Sequence, residues 1–386
     1  MRPPSRFILI ATSLLVLLHA YIGLRLLPDL PIGTAGRVVG GMVLLLSCVL
    51  MPLGLMTRAI ERQPLADRLA WAGMLMMGWF SSLLVLTLLR DIVLGIAALL
   101  LPAMEMPPMA RWSAIAVPLL AALATLIGFV NARRRARVVE VEVPLAGLPA
   151  ALDGFTIAQI SDIHVGPTIK RGYLNAIVDA VNGLEADVIA VTGDLVDGSV
   201  EQLAAHTAPL GRLTARHGAY FVTGNHEYYS GAAAWVEELR RLGLRVLENE
   251  HVVLQHGGVD LVVAGVTDYS AHHFDPAQRS DPRVALEGAP AAATPRILLA
   301  HQPRSAPAAA EAGFDLQLSG HTHGGQFWPW NLFVRLQQPY TAGLHRLDAL
   351  WVYTSRGTGY WGPPKRFGAP SEITLVRLVA APESRL

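Results

Sequence analysis

Residues 160–166 read ISDIHVG, and the meaning of this stretch decides the fold. Residues 155–160 form a short apolar run, the length of a buried strand rather than of a helix. Asp162 and His164 follow it directly, two residues apart. A strand that ends this way delivers a carboxylate and an imidazole to one edge of a sheet. Taken alone, the pair has an ordinary reading as turn or surface residues. Its weight depends on what else in the chain converges on the same edge.

Four more stretches repeat the arrangement. VTGDLVD (191–197) follows an apolar run at 188–191 and carries Asp194 and Asp197. VTGNHEYY (222–229) follows 219–222 and carries Asn225 and His226. LLAHQP (298–303) ends a run at His301, and LSGHTHGGQ (318–326) presents His321 and His323. The glycines before Asp194, Asn225 and His321 permit tight turns and close backbone approach. Each residue has a bland alternative: Asp194 as a turn residue, Asn225 as a helix cap, His164 and His321 as loop histidines. Those alternatives fail jointly, because five coincidences at strand ends are needed to sustain them.

Between these runs, 173–184, 202–213 and 235–242 read as helices, and further strands are expected at 259–265, 351–354 and 373–378. Alternating strand and helix followed by runs of strands predicts an α/β domain built as a two-sheet β-sandwich flanked by helices. The Pro- and Ala-rich stretch 271–295 reads as an exposed loop.

The donor set is Asp, Asn and His without a thiolate. Such ligands suit Mn²⁺, Fe²⁺/Fe³⁺ or Zn²⁺. Two such ions about 3.5–4 Å apart can hold both the attacking and the leaving oxygen of a phosphoryl transfer, and a shared carboxylate between them offsets their repulsion. Cys48, the one cysteine, lies in an apolar run, so neither a disulfide framework nor a cysteine zinc site exists within the chain.

The 386 residues are 52% hydrophobic and only 16% charged, and the apolar excess is concentrated in the first third. Residues 7–24, 38–57, 69–89 and 112–130 contain no Asp, Glu, Lys or Arg. Each approaches the ~20 residues that cross a ~30 Å hydrocarbon layer. Residues 1–137 therefore read as a transmembrane helix bundle of about four spans, and 138–386 as the catalytic domain. Arg90-Asp91 interrupts the apolar pattern, so 92–104 reads as a separate interfacial or re-entrant piece. An intramembrane charge pair serving transport is the alternative. Arg2, Arg6, Arg58, Arg62, Arg68, Arg133, Arg134, Arg135 and Arg137 flank one side of the spans; only Arg25, Arg37, Arg90 and Arg111 flank the other. This bias places both ends, and the catalytic domain, in the cytoplasm, with the chain multi-pass in the inner (cell) membrane. A net charge of +1 offers no field for nucleic acid.

SDIHVG, GDLVD, GNHE, AHQP and GHTHGGQ together resemble the calcineurin-like metallophosphoesterase family over roughly residues 155–326, with no departure at a ligand position. TSRGTGYWGPPKRFGAPSEITL (354–375) resembles its membrane-anchored bacterial branch. The resemblance implies two divalent metal ions (Mn, Fe or Zn), with Mn²⁺ expected to serve best in vitro. It implies that Asp162, His164 and His323 hold the first ion, that Asn225, His301 and His321 hold the second, and that Asp194 bridges them. His226 is implied as the catalytic group acting on the phosphoryl or leaving oxygen, and Asp197 as the residue that orients it.

The motifs specify a phosphodiester or pyrophosphate bond but not the molecule that carries it. FWPWNLF (327–333) reads either as an aromatic loop dipping into lipid beside the metals or as rings packed beneath the site. Tyr360-Trp361 and Lys365-Arg366 read either as lining for an acidic headgroup or as solvated residues. The expected partners are thus the lipid bilayer and a phosphorylated small-molecule or lipid substrate, such as a UDP-linked acyl sugar. Hydrolysis of soluble phosphodiesters, or a non-catalytic membrane scaffold or sensor, are the alternatives.

Overall fold

The structure, a computed structural model, describes residues 5–57, 60, 62–290 and 295–381. Arg2, Arg58 and residues 291–294 of the expected loop lie outside the described residues. The chain forms two compact units: Met1–Val130 with Gly362–Lys365, and Asn131–Trp361 with Arg366–Leu386.

The first unit contains four long apolar helices, α1 (Ser5–Leu26), α2 (Gly33–Leu55), α3 (Gln63–Leu100) and α4 (Met106–Arg133), each long and apolar enough to cross a membrane. Phe7, Leu9, Leu17 and Leu45 point outward, as lipid-facing residues do. The expected break at Arg90-Asp91 is absent. α3 runs its full 38 residues, about 57 Å at 1.5 Å per residue, with Pro64 in its first turn and Pro102 just beyond its end. The charges do not break it because their partners are at hand. Arg90 donates to Ser113 Oγ (2.9 Å), to the carbonyls of Arg25 (2.8 Å) and Ala110 (3.1 Å), and to the Asp29 carboxylate. Asp91 accepts from Tyr21 Oη and Arg25 Nε, both at 2.7 Å. The charges thus tie α1, α3 and α4 together. Lys365 is likewise buried, with Nζ donating to the Gly78 carbonyl at 2.8 Å and to Ser82. It is neither solvated nor part of a headgroup pocket.

The second unit holds two six-stranded mixed sheets. Its elements in chain order are β1 (Arg137–Leu145), β2 (Thr156–Ile160), α5 (Arg171–Asn182), β3 (Val188–Val191), α6 (Val200–Thr207), β4 (Ala219–Phe221), α7 (Asn225–Ser230), α8 (Ala232–Arg241), β5 (Arg245–Val246), β6 (Glu250–His256), β7 (Val259–Gly265), β8 (Arg296–Leu299), α9 (Ala306–Ala312), β9 (Leu316–Ser319), β10 (Gly343–Leu347), β11 (Leu350–Thr354) and β12 (Glu372–Ala380). One sheet has the order β1-β12-β2-β3-β4-β5 and the other β10-β11-β9-β8-β7-β6. β2, β3, β4 and β5 are parallel neighbours, as are β11, β9, β8 and β7.

The strands alternate sides as a period of two requires. Ile157, Val188 and Ala190 face Val263, Ile297 and Leu318 of the other sheet. Ala158, Ile160, Ile189 and Val191 turn outward onto Leu174, Ile177 and Val178 of α5 and onto Trp235 of α8. α9 covers the second sheet through Ala306 and Ala309 against Leu298 and Val352. The short strands β2, β3 and β4 are therefore largely apolar, because both faces are covered, with Gln159 of β2 the buried polar exception.

α2 and α3 approach closely at Gly54 and Gly73. A Cβ on Gly73 would lie 2.4 Å from the Leu50 carbonyl oxygen and 2.7 Å from Gly54 Cα. Gly73→Val is expected to destabilise the bundle by roughly 1–3 kcal/mol, the usual range for overpacking. A lowered midpoint of thermal unfolding in detergent would show it; an unchanged midpoint would mean the helices do not cross there.

Candidate metal centre

Five strands of the sandwich end at one edge, and each hands over a polar group. β2 leads to Asp162 and His164, β3 to Asp194, β4 to Asn225 at the start of α7, β8 to His301, and β9 to His321 and His323. Beneath them Gln159 joins the two sheets, its Nε2 donating to Thr192 Oγ1 (2.9 Å) and to the Ser319 carbonyl (3.0 Å).

The side chains form two clusters. In one, His164 Nε2 lies 3.1 Å from His323 Nε2, which is 3.4 Å from Asp162 Oδ1. In the other, His301 Nε2 lies 3.2 Å from Asp194 Oδ2 and 3.2 Å from His321 Nδ1. Asp194 Oδ2 also stands 4.0 Å from His164 Nε2, so one carboxylate faces both clusters. His301 Nδ1 donates to the Thr192 carbonyl at 2.8 Å, which turns Nε2 toward the centre.

The backbone conformation is costly here. Asp162 (φ 54°), His164 (φ 56°), Asp194 (φ 50°), His321 (φ 70°) and His323 (φ 52°) all occupy the left-handed region. Non-glycine residues there cost roughly 1–3 kcal/mol each and collect at functional sites. The approach is equally tight at Gly224, where a Cβ would sit 2.2 Å from Asp194 Oδ1.

The residues present fit a pair of divalent cations. Imidazole nitrogens that face one another within 3.2 Å, beside buried carboxylates, are the donor set of a cation site. The Oδ1 of Asn225 is buried without a hydrogen-bond partner, an orphan that a cation would satisfy. Burial, followed by the His301 charge, pushes the His321 imidazole down to about 3, so that ring is neutral and able to ligate. Burial also pushes His323 well down. Burial alone would raise the Asp194 carboxyl, but the His301 and His226 charges outweigh it and hold it well below the usual carboxylate range.

His226 lies beside these clusters. Its backbone N–H donates to Asp194 Oδ1 (2.8 Å), its Nδ1 meets Asp197 Oδ1 at 2.5 Å, and its Nε2 is 3.9 Å from Asp194 Oδ2. Burial would lower the imidazole; the Asp194 charge and the Asp197 hydrogen bond reverse that and push it up to about 9. Asp197 also reaches His164, with Oδ2 3.3 Å from Nδ1, so it touches one residue of the first cluster as well as His226.

Glu227 had no role in the sequence reading, although it closes the GNHE motif. Fully buried, it accepts the backbone N–H groups of Gly224 (2.7 Å), Asp194 (3.0 Å), Leu195 (2.7 Å) and Val196 (3.3 Å). Burial and the Asp194 charge push its carboxyl up while the N–H donors pull it back. It locks the turn bearing Asp194 to the turn bearing Asn225. The glutamate three residues after Gly224 was the available signal, a capping-box spacing. Gln326 was also missed: its amide forms a reciprocal pair with the Trp361 main chain, both bonds 2.9 Å. Trp361 is half-exposed and its ring centroid lies 5.7 Å from that of His226, whereas Tyr360 and Arg366 are buried. In the aromatic loop only Phe327 packs inward. Trp328 and Trp330 are each 43% exposed, so they do not pack beneath the site.

The calcineurin-like phosphoesterase family model matches residues 155–325, the segment that carries all the clustered residues. A zebrafish (Danio rerio) transmembrane protein with metallophosphoesterase domain is 39% identical over 279 residues, 70% of this chain and 63% of that protein. A Helicobacter pylori metallophosphoesterase is 39% identical over 255 residues, 65% of this chain and 66% of the relative. A metallophosphoesterase of Aquifex aeolicus is 32% identical over 224 residues, 58% of this chain and 84% of the relative. The chain belongs to the calcineurin-like phosphoesterase family, and it is a membrane protein with four apolar helices. It spans 63% of the length of its zebrafish and bovine relatives.

Gly224→Ala tests the packing of this centre. The added methyl presses on the Asp194 carboxylate, so the folded variant is expected to retain well under half of the wild-type metal content after dialysis. Elemental analysis reads this directly; full metal content would show that the turn has room to spare.

Proposed function

We propose that this chain is a membrane-anchored, dinuclear-metal-dependent hydrolase of a phosphodiester or pyrophosphate bond in a lipid-linked substrate, with a UDP-linked acyl sugar as one concrete form. The observation that carries the hydrolase reading is the single Asp194 carboxylate facing two histidine clusters, with the His226–Asp197 pair beside it. Asp162, His164 and His323 would hold the first ion, Asn225, His301 and His321 the second, and Asp194 both. When bound, two divalent ions supply Lewis-acid stabilisation and fix the attacking and leaving oxygens in line. His226 donates Nδ1–H to Asp197, and with the ring pushed up to about 9 it is an imidazolium whose Nε2–H can pass to the leaving oxygen. Asp197 orients that ring. Residues 1–137 would be the membrane region and 138–386 the catalytic domain.

The lipid-linked reading rests on the loop after His323. Trp328, Trp330, Leu332, Phe333 and Leu336 are all exposed, an apolar surface that a soluble monomer seldom leaves in water. Only residues 134–136 separate α4 from β1, a short covalent link between the apolar helices and the domain. The arginine bias toward the flanks that include Arg6, Arg62, Arg68 and Arg133 supports an inner-membrane protein with its catalytic domain in the cytoplasm. A reporter fused after the C-terminus is expected to be active only in the cytoplasmic form; activity confined to the other side would reverse the topology.

Hydrolysis is expected to require added divalent metal, with Mn²⁺ giving the highest rate in vitro. His226→Ala should retain its metal yet lose roughly 10²-fold or more in turnover, as expected for a lost general acid. A variant that lost its metal as well would contradict the assigned role. Replacing both Trp328 and Trp330 with Ser tests the substrate class. Burial of apolar surface is worth about 25 cal/mol per Å², so two rings against acyl chains shift lipid use by about 10-fold or more. Hydrolysis of a small chromogenic phosphodiester should change little. Equal losses on both substrates would mean that the rings support the fold, and only the phosphoesterase reading would stand.

A further inference from the structure

Another pair of histidines stands ring to ring far along the sandwich from the candidate metal centre, and neither lies in any of the five motifs. His217 Nε2 is 3.1 Å from His256 Nδ1. That separation matches the 3.1 Å between His164 and His323 and the 3.2 Å between His301 and His321. The candidate metal centre lies past the C-terminal ends of β3 and β4, whereas Asp187 and His217 precede those strands. His256 is the last residue of β6, so each sheet supplies one ring. Asp187 faces the pair: its Oδ1 is 3.9 Å from His256 Nδ1, while its Oδ2 accepts the Thr156 N–H (2.9 Å) and Oγ1–H (3.0 Å).

The two rings are held in place from several sides. The His217 N–H donates to the Asp187 carbonyl at 2.8 Å, and the His217 carbonyl accepts the Tyr220 hydroxyl at 2.8 Å. The Phe155 ring backs both imidazoles, 6.0 Å from His217 and 5.0 Å from His256. Burial, followed by the His256 charge, lowers the His217 imidazole, which favours its neutral, ligating form. All three side chains stay partly open to solvent, so an ion can enter. Arg216 also approaches Asp187 Oδ1, at 3.9 Å, but its side chain is 65% exposed and can swing outward. Without an ion, one ring donates its N–H to the other. For an ion to sit between them, the donor ring moves that proton to its far nitrogen, Nδ1 of His217 or Nε2 of His256. Solvent access permits this tautomer exchange, and it leaves both rings neutral. Two nitrogens about 2.0–2.1 Å from a Zn²⁺ stand about 3.1–3.4 Å apart when the angle between them is at or a little below tetrahedral. Two imidazoles beside a carboxylate are a donor set that suits this ion.

We propose that His217 Nε2 and His256 Nδ1, with Asp187 Oδ1 beside them, form a Zn²⁺ site that staples the two sheets at the end opposite the candidate metal centre. The test takes full-length wild type, His217→Ala, His256→Ala and the double variant in detergent micelles. All four are dialysed against the same micromolar free Zn²⁺, and elemental analysis gives the zinc per chain. Only differences between proteins are read, so the number of ions held by Asp194 and its neighbours does not enter. Each single variant is expected to hold about one Zn²⁺ fewer than wild type, and the double variant to lose no more than either single, because both rings serve one ion. Circular dichroism with the wild-type helix content shows that a variant is folded. Equal zinc in wild type and a folded single variant would overturn the proposal, since a pair that is merely hydrogen-bonded binds no ion. So would a double variant that loses two ions, because each ring would then serve a separate site. Should the alanine variants not fold, anomalous diffraction at the zinc edge from wild-type crystals equilibrated at the same free Zn²⁺ decides the question. A peak about 2 Å from both ring nitrogens is expected, and its absence overturns the proposal.

Discussion

The structure turns on one oxygen, Asp194 Oδ2. It faces His301 at 3.2 Å and stands 4.0 Å from His164, so both clusters depend on where this carboxylate is held. A buried carboxylate strongly prefers partners, and Asp194 has them on every side. Its Oδ1 accepts the His226 N–H, while its own N–H is taken by Glu227. Glu227 spends its acceptor capacity on four backbone N–H groups from two turns, and so fixes the β3 and β4 ends as one piece. The second carboxyl group is buried in order to place the first.

Two sheets of covered, apolar strands provide the rigidity this placement needs. The strands are short, and both faces of β2, β3 and β4 are packed, so their ends cannot drift. Five ligand candidates adopt left-handed backbone angles, a conformation that persists only where the surroundings over-determine it. The surroundings here include the Gln159 bridge between sheets, the Glu227 lock and the bond from Arg366 to the His323 carbonyl. Positioning of this kind, rather than large motion, is what a two-ion phosphoryl-transfer site requires.

Much of this was legible in the sequence because each polar group follows an apolar run directly: Asp162 after 155–160, Asp194 after 188–191, His321 after 316–318. The sandwich and the four apolar helices follow from the same patterning. Other features were hidden for identifiable reasons. β1 alternates valine and glutamate at a sheet edge, so it lacks the apolar run that marks a buried strand, and β5, with only two residues, is too short to show a period. The continuity of α3 depended on Arg25, Asp29 and Ser113 as partners for Arg90 and Asp91, contacts that no local window contains. Arg366 read as headgroup-pocket lining or as a solvated residue because the fold that buries it against the carbonyls of His323, Arg356 and Gly359 brings in a partner 43 positions away. Trp328 and Trp330 had two readings, and only burial separates them.

The central claim is that one carboxylate serves two ions. The most direct measurement is electron paramagnetic resonance of full-length protein loaded with Mn²⁺, combined with metal analysis, for wild type and Asp194→Asn. The account predicts two ions per wild-type chain with an exchange-coupled spectrum, and loss of the coupled signal with most of the bound metal in Asp194→Asn. Two magnetically independent ions in wild type, or an Asp194→Asn protein that keeps both ions coupled, would contradict it.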